Sequence, residues 1–200
     1  MDKVIGNINS IETETDLGIK SENSPFAESF YFIDIYDDKA VKKFIKSVEK
    51  MVRQSREYKT YIELLRTNNM SLNHDSIMGN ITTADVDLEF HHYPFSLYDI
   101  VYIVVLNSVV NNKKFTTFSI AKEVMENHYK HLIGLVPMTK TTHELAHSGS
   151  LFLRSDQVFG RYNEFMNIYK NGLTRDLIDK VTTMEKMTED NIPSDFKRLF

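Results

Sequence analysis

Two stretches, VDLEFHHYPFS at 86–96 and GLVPMTKTTHELAHSG at 134–149, decide how this sequence is read. In and just before the first, Val86, Leu88 and Phe90 alternate with Asp85, Asp87 and Glu89, the period of a half-buried strand, until His91, His92 and Pro94 end the ladder. Around the second, a short apolar run over 132–138 predicts another strand, and Thr141 or Thr142 is placed to cap a helix carrying His143 and His147. A spacing of four sets those two imidazoles on one helical face, where both reach one cation. With His91 they supply three ligands and leave a position open, the arrangement of a catalytic metal site rather than a closed structural one. His92, not bound to the metal, is placed to serve as general base.

The rest of the composition narrows the chemistry. Two hundred residues with 42% apolar and 26% charged side chains and a net charge of −4 describe a soluble chain with one core or two small ones, and exclude wholesale disorder and collagen-like repeats. The longest apolar run, 100–106, falls far short of the roughly 20 residues of a membrane span. The first sixteen residues lack the cationic, apolar and small-residue order of a secretory signal, so an intracellular location is expected. Cysteine is absent, which removes disulfides, thiol nucleophiles and thiolate metal sites. Any metal must rest on His, Asp or Glu, and six of the seven histidines fall between His91 and His147.

Four segments are expected. Residues 1–37 read as an acidic flexible arm (1–24) and an attachment segment (25–37), and over 1–39 nine acidic side chains face only Lys3, Lys20 and Lys39. Residues 38–70 read as one long basic amphipathic helix capped by Asp37 or Asp38, with a net charge of +5 over 40–66. Residues 71–155 hold the strand–strand–helix unit, with two inserted helices over 96–132, the first of them buried. Residues 156–200 read as a C-terminal helical segment, interrupted at Asn171 and Gly172, and a tail.

The two opening stretches resemble the HNH endonucleases, whose small ββα-metal core is also called a His-Me finger. The resemblance covers about 60 residues, 85–149, and implies an α+β, mostly helical fold enclosing that core. It also implies an enzyme, a metal-dependent hydrolase of DNA phosphodiester bonds: His91, His143 and His147 bind one divalent metal ion (Zn, Ni, Mg or Mn), and His92 activates water. Three imidazoles suit zinc or nickel, whereas magnesium prefers oxygen. Thr139 and Thr142 stand where many members carry zinc-knuckle cysteines. Gly134 replaces the family's middle Asn, so Asn127 or a backbone carbonyl is left to orient His92. Arg154 and Arg161 are placed to contact phosphate. Small proteins of this kind are frequent in bacteriophages, which implies a phage source, the host cytoplasm, and DNA or a larger phage complex, reached through the N-terminal arm, as partners, with no membrane.

Two other readings compete. A non-enzymatic nucleic-acid-binding or virion component on the same scaffold accounts for Gly134. A zinc metalloprotease accounts for His143, Glu144 and His147 as H-E-x-x-H, with Glu164 as a third ligand. His74, His128 and His131 read as packing or surface residues, although the spacing of His128 and His131 is compatible with a secondary site.

Overall fold

The computed structural model describes residues 37–68 and 72–190, so the expectations for 1–36 and for the tail 191–200 lie outside the described residues. The chain enters helix α1 (Asp38–Gln54) at Asp37, whose carboxylate accepts from the Lys39 and Ala40 amides at 2.9 and 3.2 Å. Phe44, Ile45, Val48, Met51 and Val52 form its buried stripe. The single helix expected over 38–70 divides at Ser55, where ψ of 148° breaks the spiral. The Ser55 hydroxyl donates to the Val52 carbonyl at 2.7 Å and accepts from the Tyr58 amide at 3.1 Å. One side chain thus closes α1 and opens α2 (Arg56–Asn68).

The strands are shorter than the sequence pattern. β1 (Glu89–His92) pairs antiparallel with β2 (Leu135–Met138), with Glu89 opposite Met138 and His92 opposite Leu135. Val86 sits in a turn, its amide on the Thr82 carbonyl at 3.1 Å, and is 43% exposed, so only the later part of the alternating stretch becomes strand. Between the strands run α3 (Leu97–Val110) and α4 (Thr117–Tyr129), each opened by a reciprocal cap, Ser96 with Asp99 and Thr116 with Ser119. Both pack with α1 into the main core, where Ile100, Val101, Val104, Ile120, Val124 and Met125 are buried.

After β2, Thr139 caps α5 (Lys140–His147), two or three residues before the Thr141 or Thr142 cap expected from sequence. This short helix lies on both strands over a second, small core of Val136, Met138 and Leu153. A 3₁₀ turn (Ser155–Gln157), α6 (Tyr162–Ile168), a second 3₁₀ turn (Lys170–Gly172) and α7 (Arg175–Asp190) complete the described residues. The result is a mostly helical α+β fold with seven α-helices and one two-stranded sheet among those residues. None of these helices is long and apolar enough to cross a membrane.

Candidate metal centre

Strand alternation sorts the residues of β1 between two environments. Phe90 and His92 are buried toward the helical core, while Glu89 and His91 occupy the partly exposed face shared with α5. The start of α5 is held by Asp75, a fully buried carboxylate from the loop before β1. It accepts from the Thr139 amide and the Thr142 hydroxyl, each at 2.6 Å, and from the Ile77 and Met78 amides at 2.7 and 2.8 Å. Burial alone would raise its pKa, but these four donors hold it below the usual carboxylate value.

On that scaffold His91, His143 and His147 converge, each offering a ring nitrogen within 4.8 Å of the others. The ring centroids lie 5.0 Å apart for His91 and His143, 4.8 Å for His91 and His147, and 4.5 Å for His143 and His147. Burial, then His143, His147 and Lys180, push the His91 pKa down to about 4, so its ring is neutral with a lone pair to give at neutral pH. Tetrahedral ligands at about 2.0–2.1 Å from zinc lie about 3.4 Å apart, so the three nitrogens, within 4.8 Å here, would draw closer around an ion. An all-imidazole donor set fits zinc or nickel and does not fit magnesium. His147 is exposed, so one side of the cluster faces solvent.

Glu89, read from sequence only as the polar face of a strand, belongs to this site: its carboxylate accepts from Nδ1 of His143. The signal was the period of two that sets Glu89 beside His91.

The remaining sequence candidates lie elsewhere. His92 lies on the far face of β1, 8% exposed, with its Nε2 3.0 Å from Nε2 of His128. His128 Nδ1 donates to the Val124 carbonyl at 2.8 Å, so the neutral His128 accepts at Nε2 and His92 donates. Tyr58 stacks on His92 with ring centroids 6.0 Å apart, and the rings of Tyr58 and Tyr61 each lie nearly perpendicular to that of His128 with centroids 5.6 Å apart. Burial followed by the neighbouring His128 holds the His92 pKa well below its ordinary value. Its Nε2 is committed to an internal hydrogen bond, unlike that of a base facing substrate water.

Asn127 does not orient His92 either: its amide donates to the Tyr169 hydroxyl at 2.8 Å, which in turn donates to Glu123 at 2.8 Å. Arg154 is spent on Asp156 at 2.9 and 3.0 Å, and Arg161 on Glu164 at 2.7 Å and the Lys130 carbonyl at 2.9 Å. Gly134 stands where a β-carbon would meet the Tyr93 carbonyl oxygen at 2.0 Å, so an Asn side chain has no room there. The two glutamates of the protease reading are engaged elsewhere as well. Glu144 lies outward, 4.0 Å from Lys140, and Glu164 is paired with Arg161, while His91 completes the cluster.

The sequence model of the bacteriophage G278-like virion protein family matches residues 1–197. Neither the curated proteins nor the solved structures contain a match. The family match overturns the HNH endonuclease resemblance, and DNA hydrolysis as the function goes with it. The DNA partner loses its support as well, and some cations of the basic segment are paired within their own helices, Arg53 with Glu49 and Arg66 with Glu63. Among the expectations drawn from sequence, the phage component is the one this match favours, and with 197 of 200 residues covered the chain belongs to the bacteriophage G278-like virion protein family.

Proposed function

We propose that the protein is a non-enzymatic component of the phage particle in which His91, His143 and His147 hold one divalent transition ion, zinc or nickel by donor type. Family membership supports the place in the particle. The observation that carries the metal reading is the meeting of three imidazoles from β1 and α5 within 4.8 Å. When bound, the ion supplies a cross-link between strand and helix. Such a link has a use here, because α5 has only eight residues and a core of three buried side chains beneath it. Helices this short are marginal without tertiary support. Attachment to neighbouring particle proteins falls to the acidic stretch 1–39, whose net charge of −6 opposes the +5 of 40–66.

Two measurements test this. Mass spectrometry of purified particles should find the chain at a fixed copy number, and its absence from particles would sink the structural role. Elemental analysis of the purified chain should find one ion per chain, lost in the double variant His143→Ala, His147→Ala. Metal content unchanged by that variant would sink the centre.

A further inference from the structure

We infer that Glu89 is a positioning residue for the metal centre, fixing His143 so that Nε2 rather than Nδ1 is presented to the ion. The inference rests on the metal reading above and adds the group that orients one ligand and offsets the ion's charge.

A carboxylate only accepts hydrogen bonds, so the contact between Glu89 Oε2 and His143 Nδ1 requires the hydrogen on Nδ1, and in the neutral ring that can bind an ion the lone pair is then on Nε2. A free imidazole exchanges between two tautomers, only one of which suits a given ligand geometry. Glu89 selects one before any ion arrives.

Glu89 and His91 are two residues apart on one face of β1, so a single strand delivers one ligand and the partner of another. Glu89 lies opposite Met138, the residue before the Thr139 cap, and this register brings its carboxylate to the first turn of α5, where His143 sits. Glu144, the carboxylate next to His143 in sequence, faces Lys140 instead.

Three neutral imidazoles leave a bound divalent ion with its full charge, and Glu89 removes one unit of it through the His143 ring. Carboxylates in this relation to a ligating histidine raise metal affinity about 10- to 100-fold.

The test titrates the full chain with Zn²⁺ and Co²⁺ against a competing chelator, for wild type, Glu89→Ala, Glu89→Gln and His143→Ala. Glu89→Ala should weaken affinity 10- to 100-fold, and Glu89→Gln, which keeps an acceptor but not the charge, should fall between it and wild type. Long-range ¹H–¹⁵N correlations on the metal-free protein should show His143 as the Nδ1–H tautomer in wild type and a mixture of tautomers in Glu89→Ala. A merely structural role for Glu89 would not give this graded series or the tautomer change. Equal affinities of wild type and Glu89→Ala would overturn the inference while leaving the metal centre standing. A Co²⁺ spectrum or X-ray absorption pattern with Glu89 as a direct ligand would also overturn it. If wild type and His143→Ala bind equally poorly, the metal reading falls and the inference with it.

Discussion

Gly134 and Tyr93 approach so closely that a β-carbon on the glycine would stand 2.0 Å from the Tyr93 carbonyl oxygen. The same two residues share a backbone hydrogen bond, Tyr93 amide to Gly134 carbonyl at 3.1 Å, which extends the β1–β2 ladder by one rung. Val158 closes the other side, with its Cγ1 2.9 Å from the β-carbon position. Gly134 is therefore a packing requirement rather than a place where an Asn was lost. Gly134→Ala should cost at least about 2 kcal/mol by overpacking, and Gly134→Asn more, measured by urea unfolding. An Asn variant as stable as wild type would contradict this.

Asp75 carries the next prediction. Replacing it with Ala strips acceptors from Thr139, Thr142, Ile77 and Met78 at once, and the two buried donors, the Thr139 amide and the Thr142 hydroxyl, cost about 1–3 kcal/mol each when left unpaired. A loss of at least about 3 kcal/mol is expected, together with weaker metal binding, because α5 loses its anchor. The pKa of Asp75 is lowered on folding, so its carboxylate contributes fully above the unfolded value of about 3.9 and loses that contribution as pH falls through the lower folded value. Asp75→Asn should therefore flatten the stability curve below pH 4. An unchanged acid limb would count against the assignment.

Much of this was legible in the sequence, and the misses have identifiable causes. Spacing alone brought His143 and His147 together, and the position of His91 at a strand end made it the third member of the cluster. The alternation that predicted a half-buried strand also puts His91 and His92 on opposite faces, which already conflicts with one centre using both. The division at Ser55 left no trace in the apolar pattern, because Met51, Tyr58 and Leu65 still fall seven residues apart, a helical spacing, across it. What breaks the helix is a local side-chain to backbone bond that competes with the helical ladder. Asp75 was hidden for another reason: its partners Thr139 and Thr142 lie more than sixty residues away.

The metal centre predicts a selective pattern of stabilisation. Zn²⁺ at 100 times its dissociation constant should stabilise the wild-type chain by about 2.7 kcal/mol, reversed by a chelator. His91→Ala, His143→Ala and His147→Ala should each lose most of that gain. His92→Ala should keep it, despite a lower starting stability, because His92 faces the other core. Loss of the gain in the His92 variant alone would put the ion on the wrong side of β1.

The buried pair His92 and His128 predicts acid sensitivity of a different origin. Burial pushes the His128 pKa down to about 4, against about 6.5 in the unfolded chain. Its surroundings are His92, the rings of Tyr58 and Tyr61 and the Val124 carbonyl, with no carboxylate among these contacts to welcome a proton. Between pH 6.5 and 4 the unfolded state binds a proton that the folded state refuses, so stability falls as pH falls, by up to about 1.4 kcal/mol per pH unit for this group. His128→Leu removes that proton and also leaves the Nε2 hydrogen of His92 without its acceptor. The variant should be about 1–3 kcal/mol less stable than wild type at pH 7 and have a shallower slope toward pH 4, so that the two curves converge in acid. Chemical denaturation of both proteins across this range, without added metal, measures the difference. Parallel curves would show that His128 does not titrate on unfolding, and the buried pair would then need another protonation state.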